Sequence, residues 1–209
     1  MSEIKLSADS GGGTTSLKGP ASTTGNAALA YTLPNATTGG VIRTTTTPGA
    51  IIQVVNALVT GTQTLSFSSA AWIDTDVTAS ITPSSASNKI LVSMHVCGEG
   101  NTTPAIFSYQ VTRAISGGAT TNITAPTAGD RVSIMGVPAS ASDNNTVTMD
   151  SFTIPNYYDA PATTSAVTYK MQIYYGGAAT WYLNRQVTDS DAEANRRGMS
   201  WVTLMEVAG

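Results

Sequence analysis

The chain has 209 residues and 41% hydrophobic content, enough for a real core, but only 11% charged residues, against roughly 25% in ordinary soluble domains. Its net charge of -3, its pI near 4.9 and its scattered Lys and Arg exclude the clustered basic surface that nucleic acid requires, and no apolar run reaches the length of a membrane span. Neither a nucleic-acid partner nor membrane insertion is therefore expected.

The first element is an arm over residues 1–48, rich in Ser, Thr, Ala and Gly. It is too poor in apolar residues to bury itself, so it must be ordered by lying against something else. Its Met1-Ser2-Glu3-Ile4-Lys5 start lacks the basic and apolar parts of a secretory signal, which predicts synthesis in a cytoplasm. Ile4, Leu6, Leu17, Leu29 and Leu33 recur at intervals along it. These are the candidate attachment residues. An extended arm of this kind adds a strand to another protein's sheet edge, taking affinity from main-chain hydrogen bonds and register from its few large side chains. Several arms on one oligomer bind far better than one.

Residues 49–209 read as a β head. The run from Ile51 to Val59 is apolar on both faces, so it is either central in the domain or covered by a neighbouring subunit. Shorter strand candidates follow at Gln63 to Phe67, Trp72 to Val77 and Ser80 to Thr82. Lys89 to Cys97 then alternates Ile90, Val92, Met94 and Val96 with Leu91, Ser93, His95 and Cys97. Gly98 to Pro104 reads as a turn, and Phe107 to Thr112 as a strand. Val132 to Met135 and Thr148 to Ile154 are further strand candidates, and Val167 to Tyr175 has the cleanest period of two in the chain. Trp181 to Asn184 and Trp201 to Val207 complete the series, the last again apolar on both faces. Many short strands with Gly, Pro and Asn punctuation and almost no helical pattern predict an all-β domain, a jelly-roll-like antiparallel β-sandwich. The two-faced strands make Ile51, Val54, Leu58, Trp201 and Met205 the candidate oligomer interface.

Chemistry-bearing constellations are sparse. His95 and Cys97 are the only histidine and cysteine, so neither a disulfide nor a His- or Cys-rich metal centre is available within one chain. A strand histidine between Met94 and Val96 reads as a packing residue, and Cys97 as a buried thiol. The pairs Asp74/Asp76 and Asp189/Asp191 read as solvated carboxylates, the second in an ion-pair cluster with Arg185, Arg196 and Arg197, within one chain or between subunits. No catalytic residue, metal or cofactor is assigned, and no enzymatic activity is expected. Tyr157, Tyr158, Trp181 and Tyr182, near predicted turns, are candidates for stacking on a host-surface glycan or receptor, with core or subunit contact as the alternative.

Several phrases carry a resemblance. Ile4-Lys5-Leu6-Ser7 with its Gly-rich follow-on, and Tyr31-Thr32-Leu33-Pro34, are similar to the N-terminal modules of virion appendage proteins of tailed bacteriophages, marine ones especially. Ser80 to Ser85, Ser87 to Val92, Pro161 to Tyr169, Tyr182 to Arg185 and Leu204-Met205-Glu206 resemble the β domain that follows in those proteins. The resemblance implies a structural virion protein made in the host cytoplasm, a homotrimeric fibre, knob or capsid decoration. Its arm would be bound to other virion proteins of capsid or tail, with the head exposed. The chain departs from long tail fibres in lacking a repetitive shaft. The alternative is a receptor- or glycan-binding module of a tail fibre.

Overall fold

A computed structural model of the chain describes the strands Glu3–Ser7 and Thr14–Lys18 and residues 48–102, 106–137 and 149–209. The chain divides into two units, Met1–Arg43 and Thr44–Gly209. In the first, β1 (Glu3–Ser7) pairs antiparallel with β2 (Thr14–Lys18), setting Ile4 opposite Leu17 and Leu6 opposite Thr15. This corrects the expectation of an arm with no backbone pairing of its own. A two-stranded ribbon is still marginal in isolation, and each strand keeps one edge that this pairing does not use. Leu29 and Leu33 lie outside the described residues.

The second unit contains β3 (Ile51–Val59), β4 (Gln63–Phe67), β5 (Ala71–Ile81), β6 (Lys89–Gly100), β7 (Ser108–Ile115), β8 (Thr120–Ile123), β9 (Asp150–Asp159), β10 (Val167–Tyr175), β11 (Ala179–Leu183) and β12 (Ser200–Val207). Among the described residues there is no helix. One sheet has the order β5-β10-β7-β8; the other runs β3-β12-β6-β11-β4, with β9 also on β6. Every strand pair is antiparallel. From β4 to β7 and again from β9 to β11 the chain changes sheet at each step, which is the winding of a jelly roll.

Register explains how the larger sheet is built. Both β9 and β11 pair with Gly98, so they occupy opposite edges of β6. β9 also pairs along the stretch of β6 that β12 covers, so β12 and β11 share the other edge, end to end. Outside them β3 and β4 run in the same direction as one edge interrupted at residues 60–62. Asn184 fills the seam. Its backbone is left-handed, at φ 58°, its amide nitrogen donates to the carbonyls of Val59 and Gly61, and its Oδ1 accepts from Ser200 Oγ and the Cys97 thiol. The side chain thus replaces ladder bonds that the break removes.

The core lies between the sheets and takes the inward half of each alternating strand. Ile90, Val92, Met94 and Val96 of β6 meet Tyr169, Met171 and Ile173 of β10, with Val202 and Leu204 of β12. Trp181 is completely buried among these, near Phe107 and Tyr109. β6 continues through Gly98 and Gly100 where a turn is expected from sequence, because the missing side chains make room for aromatic rings. A Cβ on Gly100 would sit 1.9 Å from the Phe107 ring, and one on Gly98 2.2 Å from the Tyr182 carbonyl.

Two further differences from the sequence reading have local causes. No strand forms at Val132 to Met135; only Gly136 bridges to Tyr109. β9 instead runs on through Pro155, which an edge strand tolerates. There Pro155 and Asn156 together face the single residue Ser93, a β-bulge that spares the ladder the missing proline N–H.

Two buried acids tie the head together. Glu206, fully buried on β12, accepts hydrogen bonds from Gln53 Nε2, Ser84 N, Ser84 Oγ and Asn88 Nδ2 at 2.6–2.7 Å. Burial pushes its carboxyl up, but the Asn88, Gln53 and Ser84 donors outweigh burial and hold it below the ordinary range. Asp159, at the end of β9, takes Arg113 Nη1 at 2.8 Å and the Tyr169 hydroxyl at 2.6 Å, joining the larger sheet to the smaller.

Candidate functional site: an apolar sheet face

The outward residues of the two sheets have opposite character. On the smaller sheet they are exposed Asp74, Asp76 and Ser80 with half-buried Thr78 on β5, and half-buried Thr168, Lys170 and Gln172 on β10; Gln110 and Thr112 of β7 share this side but are buried, and Trp72 packs on Tyr174 at its end. They bond to one another, Lys170 Nζ and Gln172 Nε2 each reaching Asp74 at 2.6 Å and Ser80 lying 2.6 Å from Thr168. Asp74 accordingly sits below its ordinary range, the Lys170 and Gln172 bonds outweighing the opposing effect of partial burial. The β5 edge of this face is built for water, while its β7 side is buried.

The larger sheet turns a different surface outward. Register puts Leu58 beside Trp201, and Trp201 beside His95. Two residues along, Asn56 faces Thr203 and then Ser93; two further, Val54 faces Met205, Leu91 and Tyr158. Alternation places all of these on the side away from the core, since Val55, Ala57, Val202, Leu204, Val92 and Met94 point in. Apolar rows flank a short neutral polar row, with no carboxylate among them. Val54, Leu58 and Tyr158 are exposed at 56%, 55% and 54%. These accessible side chains on the two outer strands, with half-buried Trp201, Met205 and Leu91 between them, mark an interaction surface.

His95 sits inside this patch. Its ring stacks on that of Trp201, and its Nδ1 is 2.8 Å from Thr153 Oγ1 on β9. Partial burial pushes its pKa down, so the face carries a neutral imidazole at neutral pH. The sequence reading of His95 as a strand packing residue holds only in part: it packs on the outside of the sheet.

Four of the five proposed interface residues, Val54, Leu58, Trp201 and Met205, come together on this face. Ile51, 49% exposed, lies at the end of β3, where the register with β12 shifts. β3 is an outer strand of its sheet, which removes the alternative that its two apolar faces reflect a central position. The sequence reading missed Leu91, His95 and Tyr158 as partners in the patch. Their alternation was visible; which strands lie beside β6 was not.

The four aromatic candidates for glycan contact do not form one site. Trp181 is fully buried, which removes it from any surface contact, because it fills the space above Gly98. Tyr182 is half-buried under the Arg185 guanidinium, 3.9 Å from its ring centroid. Tyr158 belongs to the apolar face, and Tyr157 is 37% exposed on the same edge strand. The Arg/Asp cluster closes within one chain, Asp189 meeting Arg197 at 2.8 Å and Arg185 at 3.8 Å. Cys97 is buried, and burial pushes its thiol up, away from reactivity. Among the described residues no group of three or more His, Cys, Asp or Glu is placed to hold a metal ion.

Fold and site together define a jelly-roll β-sandwich with one sheet mainly polar on its outside along β5 and β10 and one sheet that is apolar on its outside. No family model matches the chain, and no curated protein matches it in sequence. Among solved structures it is similar to a chain in the structure of infectious bursal disease virus Gx strain, at 10% identity and a TM-score of 0.39. The match covers 75% of this chain and 37% of that one, and at this score it bears on neither site nor function.

Proposed function

We propose that the protein is a structural component of a tailed-phage particle, a fibre, knob or capsid decoration subunit, trimeric by its resemblance, with its N-terminal unit attached to other virion proteins. The observation that carries this reading is the apolar outer face around Trp201, which contrasts with the mainly polar outer face of β5 and β10: the head is shaped as a subunit, with an apolar side for protein. The sequence phrases shared with virion appendage proteins support the same reading, as does the N-terminal unit, whose two short strands each have an edge that their mutual pairing does not use.

The test is the composition of purified particles. An antibody against the full chain should detect it there, and gold labels placed at Gly209 should decorate the particle surface. A gene lacking codons 1–48 should give a folded head, since Thr44–Gly209 carries its own core, that is absent from particles. Particles free of the full-length chain would contradict the reading.

A further inference from the structure

We propose that the outer face of β9, β6, β12 and β3 packs against copies of this same chain, and that this contact, rather than the N-terminal unit, makes the head an oligomer. The inference rests on the reading of the protein as an assembling subunit and names the partner of that face.

Three observations support a second copy as the partner, the first by fitting self-contact and the other two by marking a protein interface. The first is charge. When a surface meets its own copy, both members of every ion pair across the contact must come from that one face, and any unmatched charge is buried on each copy; a face without ions has none to leave unpaired. Between Leu58 and Tyr158 the patch holds Val54, Trp201, Met205, Leu91, His95 and small neutral polar residues, and Lys89 stands only at its end. A face evolved for a charged or basic partner would carry complementary ions within it.

The second is size. From Lys89 to His95, the part of β6 that both β9 and β12 flank, the strand length is about 20 Å, and four strands span about 19 Å, a flat footprint of roughly 400 Å² before side-chain relief. That is about half of the ~800 Å² per partner of a standard stable interface and lies in the range of the largest, often functional, patch on a monomer. The third is composition. Trp201, Met205 and Tyr158 are residue types concentrated at interface centres, and Val54 and Leu58 provide the surrounding apolar contact.

The test uses the full chain in sedimentation velocity over a hundredfold range of micromolar concentration. Wild type should sediment as an oligomer. The double variant Val54→Lys/Leu58→Lys changes exposed side chains on an outer strand, so it should keep its circular dichroism spectrum and sediment as a monomer, with association at least tenfold weaker. Ser80→Lys, on the exposed β5 edge of the smaller sheet, should associate like wild type. A monomeric wild type, or a folded double variant that remains oligomeric, overturns the proposal. If wild type is monomeric but the double variant fails to enter particles, the face docks on another virion protein: self-association falls and the structural role stands. If wild type is monomeric and the double variant enters particles normally, both fall.

Discussion

The indole of Trp201 and the imidazole of His95 lie nearly parallel on the outside of the larger sheet, ring centroids 5.9 Å apart and planes inclined by 20°. The pair joins β12 to β6 next to Leu58 on the apolar face, and it places an imidazole among apolar and neutral polar side chains.

That placement gives the contact a pH dependence. The ordinary histidine value is 6.5, and burial pushes His95 below it, so as pH falls the unfolded chain takes up its proton first. The contribution of this site to stability is full above about pH 6.5 and declines below it. A second copy covering the ring deepens the effect, so self-association is expected to weaken between pH 7 and pH 5. His95→Gln should flatten that dependence in sedimentation without abolishing association.

Glu206 titrates in the same sense, at lower pH. Its folded value is held below 4.5, so its contribution is present above that value and is lost as pH falls through the depressed folded one. Glu206→Ala leaves the Asn88, Gln53 and Ser84 donors without their acceptor, at an expected cost of about 3 kcal/mol. Urea unfolding at pH 7 should show it, and the gap between wild type and variant should narrow toward pH 3.

Asn184 is expected to be the most sensitive polar residue in the head. Asn184→Ala removes the bonds to Val59, Gly61 and Ser200 and keeps a left-handed backbone that alanine disfavours. A loss of roughly 2–4 kcal/mol is expected. Asn184→Gly relieves the backbone only, so it should melt above Asn184→Ala and below wild type.

The aromatic candidates should separate by burial. Trp181→Ala opens a cavity in the core and should cost about 3–5 kcal/mol. Tyr158→Ala should leave thermal unfolding within a degree or two of wild type and weaken self-association instead.

Much of this architecture is legible in the sequence because its strands alternate cleanly. Lys89 to Cys97 and Val167 to Tyr175 each separate a core face from an outer face, and the surplus of apolar residues at Val54, Leu58, Trp201 and Met205 points to a second buried surface. Pairing was not legible. Nothing local says that β12 lies between β3 and β6, or that Tyr158 is carried beside Leu91 by a bulge at Pro155. Trp181 misleads for a related reason: its neighbours are Gly98, Gly100 and Phe107, distant in sequence, and only the fold shows that they enclose it.

The central claim is that the outer face of the larger sheet is buried in the assembled protein. Hydroxyl-radical footprinting of the full chain, comparing wild type with Val54→Lys/Leu58→Lys, reads this directly. Trp201, Met205 and Tyr158 should be protected several-fold in wild type relative to the variant, while Trp72 and Tyr174, packed together on the other sheet, should oxidise equally in both. Equal oxidation of Trp201, Met205 and Tyr158 in the two proteins would contradict it.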